Sequence, residues 1–319
     1  MLEEQGRFGQ TINSGQEYSI SITNNTVGQS IWESVNHGYA INKEDNIRIH
    51  FAVYGEGPLV VMVHGFPDFW YTWRHQIHAL SENYKVVAVD LRGYNLSDKP
   101  KGTENYSYDH LVGDIISVIH HFGERKAILV GHDWGAAISW RVAMHYPDLI
   151  ERVIICSIPN PSARLREFQA ANPDKPTYAD ILVSQEFRKG INSDLLADWV
   201  KDSEVKVKYV EAFNQSDIDA MIGYYKANYP TTENLKNESF VKNFSKPLPN
   251  VKIPVLIIHG KEDTYQSATQ HNNAWDYVDA ELVIAIVPGA SHFVHVDAVE
   301  RVNTIMSGWL KSVEIVGTR

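Results

Sequence analysis

The chain has 319 residues, 44% of them apolar, and a formal net charge of −10. This length suits an α/β domain that carries an insertion, and the apolar fraction excludes global disorder. An acidic surface argues against nucleic acid or an anionic membrane as the main partner.

Residues 1–36 are polar and weakly periodic, which predicts a flexible N-terminal extension. The segment lacks the basic and apolar regions of a secretory signal peptide, and no apolar stretch of the chain reaches the length of a membrane span. We therefore expect a cytoplasmic protein with no membrane partner.

Seven short runs then predict strands separated by helices. Residues 47–54 (IRIHFAVY) alternate apolar and polar side chains, as an antiparallel strand does, whereas 59–63 (LVVMV) are continuously apolar, as in a strand covered on both faces. The alternation predicts a mostly parallel sheet with helices on both faces. Further strand-like runs lie at 85–90, 126–130, 153–156, 255–258 and 282–287, and amphipathic stretches lie near 71–82, 108–123, 135–147, 267–278 and 296–313.

The strand rhythm stops between residues 160 and 248, where helical patches recur at 191–200 and 218–227. This break predicts an inserted helical cap at 160–248. The α/β core is then formed by 37–159 and 249–319.

The stretch GHDWG (131–135) follows a predicted strand and precedes a predicted helix. It has the form Gly-x-nucleophile-x-Gly, in which a sharp turn lifts the central side chain, here Asp133, above the sheet. An aspartate is already anionic and can attack a saturated carbon to form an ester. The pentapeptide alone is equally compatible with an aspartate that caps the helix.

An ester of this kind needs a histidine base and an acid that orients it, in the chain order nucleophile, acid, histidine. Asp263 follows the strand at 255–258, and His292 follows the last predicted strand. Glu262 is the rival acid and His295 the rival base. The ordered set makes coincidence a poor explanation.

The segment HGFP (64–67) follows the strand at 59–63. A loop at this place supplies one backbone N–H to an oxyanion hole, and the residue after the nucleophile supplies the other. This nominates the N–H groups of Phe66 and Trp134, although an ordinary Gly-Pro turn has the same sequence. The only cysteine, Cys156, lies in an apolar run and is expected to be a buried thiol.

From about residue 37 to 315, the chain resembles α/β hydrolases of the soluble epoxide hydrolase family. The segments that carry the resemblance are HGFPDFWYTWRHQI (64–77), VAVDLRGYNLSDKP (87–100), VGHDWGAAISWRVA (130–143), GKED (260–263) and GASHFVHVDAVERVN (289–303). The resemblance implies the α/β-hydrolase fold, with a mostly parallel eight-stranded sheet flanked by helices. It also implies Asp133 as nucleophile, His292 as base, Asp263 as orienting acid and a cis Phe66–Pro67 bond.

The resemblance further implies two cap tyrosines that bind and protonate the epoxide oxygen. Tyr225, the second tyrosine of MIGYYKA (221–227), matches one of them, and Tyr224 is expected to pack in the core. Tyr178 is the candidate for the other, about half a helical turn earlier than the family places it.

The resemblance leads us to expect hydrolysis of a small apolar epoxide to a vicinal diol, with water as co-substrate and with no metal or cofactor. Haloalkane and haloacetate dehalogenases share the triad, but they typically carry Asn at the Phe66 position or Arg at the Trp134 position. A third hypothesis is a non-catalytic binding protein with the same fold. A homo-oligomer is compatible with the sequence. The aromatic residues expected to contact substrate are Phe66, Phe69, Trp70 and Trp134.

Overall fold

The computed structural model describes the backbone of residues 31–170 and 177–314. It describes the side chains of all of these residues except 167–170, 313 and 314. Eight strands form one sheet in the order β1-β2-β4-β3-β5-β6-β7-β8. Strand β2 pairs antiparallel with β1 and β4, and every other neighbouring pair is parallel. The predicted fold class is thereby confirmed. The strands are β1 (Asn36–Asn42), β2 (Ile47–Tyr54), β3 (Leu59–Val63), β4 (Lys85–Val89), β5 (Ala127–His132), β6 (Ile150–Cys156), β7 (Val255–Gly260) and β8 (Leu282–Val287).

The central strands are apolar because helices cover both faces of the sheet. All five residues of β3 and all six of β5 are buried. The last helix shows the complementary pattern, because Val302, Met306, Trp309 and Leu310 share one face and are buried. The helices are α1 (Ile31–Ser34), α2 (Arg74–Leu80), α3 (Tyr108–His121), α4 (Trp134–His145), α5 (Pro161–Ala170), α6 (Tyr178–Leu182), α7 (Gln185–Gly190), α8 (Ser193–Leu196), α9 (Ser203–Gln215), α10 (Ile218–Asn228), α11 (Glu238–Phe244), α12 (Val294–Asp297) and α13 (Val299–Glu314).

The described residues between β6 and β7 form helices α5 to α11 and a 3-10 turn, with no named strand among them. We call this segment, residues 161–244, the helical insert. It begins after the carboxyl end of β6 and ends before β7. The carboxyl end of β6 lies at the same edge of the sheet as the loops that follow β3 and β5. The insert therefore starts beside the candidate catalytic loops.

Two local expectations need correction. The N-terminal extension is expected to run to residue 36, but residues 31–34 form α1 and β1 starts at residue 36. Trp32 stacks on Trp70 with ring centroids 5.4 Å apart. The rest of the extension, residues 1–30, lies outside the described residues. The amphipathic stretch near 267–278 forms two 3-10 turns, Ala268–His271 and Ala274–Tyr277, rather than one helix.

In the described part of the chain, no helix is both long enough and apolar enough to cross a bilayer.

Candidate active site

Asp133 occupies the turn between β5 and α4. Its backbone angles, φ 50° and ψ −119°, are ones that residues with a side chain seldom adopt. The turn needs small neighbours. A Cβ on Gly135 would lie 2.0 Å from the Val63 carbonyl oxygen, and one on Gly131 would lie 2.5 Å from the Gly135 carbonyl oxygen. The glycines of the GHDWG stretch therefore allow the close packing that projects Asp133 from the sheet.

The Asp133 carboxylate is buried and held from two sides. Its Oδ1 accepts a hydrogen bond of 2.8 Å from the Phe66 backbone N–H, and its Oδ2 lies 3.3 Å from His292 Nε2. Burial alone would raise the pKa of this carboxyl, but the hydrogen bond and positive charge of His292 outweigh burial and lower it. Asp133 is therefore an anion at neutral pH.

His292 and Asp263 complete a chain of three side chains. His292 Nδ1 lies 2.8 Å from Asp263 Oδ2, and Asp263 Oδ1 accepts from the backbone N–H groups of Tyr265 and Gln266 at 2.8 and 2.9 Å. Burial lowers the pKa of His292, but hydrogen bonds and attraction from the two carboxylates raise it to about 9. In the free protein, His292 is therefore an imidazolium between two anions.

The rival acid and base lie elsewhere. Glu262 is exposed and accepts from the Gly289 N–H at 2.9 Å. His295 is fully buried, and its Nε2 lies 2.8 Å from Thr72 Oγ1. The contacts of the described residues therefore join Asp133, His292 and Asp263, as the sequence order predicts.

Of the two N–H groups nominated for an oxyanion hole, that of Phe66 contacts the carboxylate. The Phe66 N–H points at Asp133 Oδ1, and Trp134 begins α4 directly after Asp133. The Phe66–Pro67 peptide bond is cis, as expected. The neighbouring His64 is neutral because burial lowers its pKa to about 4, and its Nε2 accepts from the Leu91 N–H. This bond fixes the start of the loop.

Tyr225 projects from α10 toward the catalytic loops. Its ring lies 5.5 Å from that of Phe66 and 5.0 Å from that of Trp134, centroid to centroid. Burial, followed by the charge of Asp133, raises the pKa of its hydroxyl well above the ordinary value. Tyr225 therefore keeps its proton at neutral pH. By contrast, Tyr224 donates to the Arg92 carbonyl at 2.7 Å and packs in the core.

Tyr178 begins α6 and faces the same cluster. Its ring lies 6.2 Å from that of Tyr225 and 5.9 Å from that of Tyr265, whose own ring is 5.3 Å from the His292 ring. Burial raises the pKa of the Tyr178 hydroxyl well above its ordinary value, and the neighbouring Tyr229, Tyr225 and Asp133 raise it further. The helical insert thus brings both candidate tyrosines into the surroundings of the buried aspartate.

Phe69 and Trp70 lie in a neighbouring aromatic cluster. Trp70 contacts Trp32 and His37, and Phe69 packs edge-on against Tyr209 at 4.9 Å. Both rings are almost completely buried by these contacts. Their role as substrate contacts stays a prediction.

Comparison with known proteins identifies the family of the chain. A family model described as the alpha/beta hydrolase fold matches residues 58–299. Epoxide hydrolase 3 of Xenopus tropicalis is 30% identical over 86% of this chain and 78% of its own length. Epoxide hydrolase 1 of Caenorhabditis elegans is 31% identical over 85% and 70%. The chain belongs to the epoxide hydrolase family of α/β hydrolases.

A solved structure extends the family match to three dimensions. A mutant epoxide hydrolase from Bacillus megaterium, complexed with its naphthyloxy-propane-1,2-diol product, superposes with a TM-score of 0.75 at 33% identity. The match covers 86% of this chain and 99% of that one. This α/β hydrolase thus shares its fold with a relative whose bound product is a diol.

Three aromatic residues of the site were not singled out from the sequence. Tyr265 stands over His292, Tyr229 lies 5.4 Å from the Tyr178 ring, and Phe293 stacks on Trp199 at 4.0 Å. Tyr265 could have been found, because it follows Asp263 by two residues in the same turn. The other two contacts join distant parts of the chain and leave no local signal.

One group of the described residues has the donor atoms of a metal site. Asp68, His132 and His295 are fully buried, with one possible ligand atom of each within 4.8 Å of the others. Burial raises the pKa of Asp68 to about 7 and lowers that of His132 to about 3, so the His132 imidazole is neutral. This group adjoins the triad without including any of its members, since His132 precedes Asp133 and binds the His292 carbonyl.

Proposed function

We propose that this protein hydrolyses an apolar epoxide to a vicinal diol through a covalent ester on Asp133. The observation that carries the proposal is the position of the ionised Asp133 carboxylate. It is held by the Phe66 N–H and His292, and two protonated tyrosines lie in the aromatic cluster beside it. Membership of the epoxide hydrolase family supports the same reaction.

In the first step, a carboxylate oxygen of Asp133 attacks an epoxide carbon and the carbon–oxygen bond of the ring breaks. The released oxygen takes a proton from Tyr225, assisted by Tyr178. A neutral phenol suits this role because its proton is retained until negative charge develops on the epoxide oxygen. Asp133 needs no base for the attack, since it is already ionised.

In the second step, water attacks the ester carbonyl and His292 takes a proton from that water. The bond between the Asp133 carbonyl carbon and the diol oxygen then breaks, and the departing oxygen takes the remaining proton of that water, which regenerates the Asp133 carboxylate. Ester formation itself prepares this base. The Asp133 charge and hydrogen bond help raise the pKa of His292 to about 9, and both are lost when Asp133 is esterified. The pKa then falls, so the imidazolium passes its proton through solvent to the Tyr225 phenolate and becomes a neutral base. Asp263 keeps it oriented, and the N–H groups of Phe66 and Trp134 stabilise the oxyanion.

We further propose that residues 160–248 act as a cap on a core formed by 37–159 and 249–319. Tyr178 and Tyr225 come from this segment, whereas the triad comes from the core. The aromatic rings around Tyr225 favour an apolar substrate. The diol bound to the Bacillus megaterium relative carries an aromatic group, which supports this substrate class.

The test is product analysis with three substrates side by side: styrene oxide, a dibromoalkane and fluoroacetate. We expect diol from styrene oxide only, lost in Asp133→Ala and strongly reduced in Tyr225→Phe. Tyr224→Phe is the matched control, because that hydroxyl binds a backbone carbonyl in the core. Halide release that survives Tyr225→Phe but not Asp133→Ala would make the protein a dehalogenase.

A further inference from the structure

A group of three buried side chains lies next to the triad. Its members are Asp68, His132 and His295. All three are completely buried, and a candidate ligand atom of each lies within 4.8 Å of the others. Two ring nitrogens, His132 Nδ1 and His295 Nδ1, have no hydrogen-bond partner, and Asp68 Oδ2 has none at hydrogen-bond distance, although the Thr72 and Tyr209 hydroxyls interact with the Asp68 carboxyl. Buried polar atoms are almost always paired in folded proteins, so two unpaired nitrogens in one group call for a ligand.

The remaining polar atoms of these side chains are held from outside the group. The Phe69 N–H donates to Asp68 Oδ1 at 2.9 Å. His132 Nε2 lies 2.9 Å from the His292 carbonyl oxygen, which can only accept, so this nitrogen carries the proton and Nδ1 carries a lone pair. His295 Nε2 lies 2.8 Å from Thr72 Oγ1, whose hydroxyl also bonds the Asp68 carboxyl. With the Thr72 proton directed to that carboxylate, Oγ1 accepts from Nε2, and His295 Nδ1 carries a lone pair.

We propose that Asp68, His132 and His295 form a binding site for one divalent transition-metal ion, with zinc as the best match. Two imidazoles and one carboxylate are a frequent donor set for zinc, and a water molecule completes four-coordination. Metal-ligating histidines typically donate their second ring N–H to an oxygen of the protein, as both histidines do here.

The distances permit this ligation after a small contraction. Zinc holds nitrogen and oxygen ligands at about 2.0–2.2 Å, so ligand atoms around a tetrahedral ion lie roughly 3.4 Å apart. The three side chains therefore need to close by roughly 1 Å or a little more at most. Cys156 contributes no sulfur, because it lies on β6 outside the group.

The ion would connect separate segments of the chain rather than take part in ester chemistry. Asp68 comes from the loop after β3, His132 ends β5 and His295 lies in α12. His132 also binds the His292 carbonyl, so the ion would brace the loop that carries the candidate base. The site does not depend on the proposed substrate, and its test needs no activity measurement.

The test measures metal content in the full chain. Because the three ligands are buried, the protein is refolded in the presence of zinc, and excess ion is removed on a chelating resin. We expect about one zinc per chain by mass spectrometry, and at least a tenfold loss of affinity in Asp68→Asn and in His295→Gln. The matched control is His271→Gln, which removes a buried histidine that bonds to His259.

X-ray absorption needs only the zinc-loaded wild-type chain, so its result does not depend on whether any variant folds. We expect nitrogen and oxygen ligands only, with the scattering pattern of two imidazoles. The proposal is overturned if the wild type retains no zinc, which would leave a buried water as the ligand. Equal loading of all four chains or sulfur ligation would also overturn it.

Discussion

Gly65 is the position where an added methyl group should disable the site most selectively. A Cβ on Gly65 would lie 2.3 Å from Asp133 Cβ and 2.4 Å from Asp133 Oδ1. Carbon atoms in contact normally keep about 3.5–4.0 Å apart, so Gly65→Ala requires a shift of about 1.2 Å. Such a shift moves Asp133 away from the Phe66 N–H, which now binds it at 2.8 Å.

The expected cost follows from this displacement. Misplacing a reacting group by about 1 Å costs about 10²-fold in rate, which corresponds to about 2.7 kcal/mol of transition-state stabilisation. The crowded core should also lose about 1–3 kcal/mol of unfolding free energy. We therefore expect kcat/KM for styrene oxide to fall at least about 10²-fold while the variant still folds.

The assay pairs steady-state kinetics with urea unfolding. Gly308→Ala is the control, because a Cβ there meets no atom within 4 Å and the residue lies on the exposed face of α13. It should keep wild-type kinetics and gain about 0.5–1 kcal/mol of stability. A folded Gly65→Ala protein with kcat/KM within about threefold of wild type would refute the packing argument.

Asp263→Asn should lower kcat by about 10²–10⁴-fold and let the ester accumulate, visible by intact mass after rapid quenching, because His292 loses its orienting charge. Equal slowing of both steps would contradict this role. Tyr225→Phe and Tyr178→Phe should each slow ester formation about tenfold, and the double variant about 10²–10⁴-fold, in single-turnover tryptophan fluorescence. A double variant no slower than either single one would contradict shared proton donation. The pKa of His292 is raised from 6.5 to about 9, so the stability it confers is complete below about pH 6.5 and is lost as pH rises through 9. The difference in urea stability between wild type and His292→Gln should shrink over this window, and a constant difference would contradict the sign.

The triad could be predicted because each member follows a strand. The runs before Asp133, Asp263 and His292 are apolar, and the chain order nucleophile, acid, histidine restricts the alternatives. The choice of Asp263 over Glu262 agrees with the contacts, since the structure pairs Glu262 with a backbone N–H at the surface. Local sequence was enough here because the position of each residue depends on its place after a strand end.

Other features could not be read from the sequence. Strand β1 contains Gly38 and two asparagines, so its period is weak, and its pairing with β2 decides its structure. The buried group of Asp68, His132 and His295 forms only when a loop, a strand end and a helix from distant parts of the chain meet. The orientation of Tyr178 depends likewise on packing against α10. The predicted cytoplasmic location and homo-oligomer stay predictions.

The ester on Asp133 is the central claim, and an isotope experiment tests it most directly. Excess enzyme is allowed a single turnover of styrene oxide in water enriched in oxygen-18. The oxygen that is added to the epoxide should come from the Asp133 carboxylate. The first diol therefore carries no oxygen-18, and the peptide containing Asp133 gains it. A labelled diol with an unlabelled Asp133 would show direct attack by water and would contradict the account.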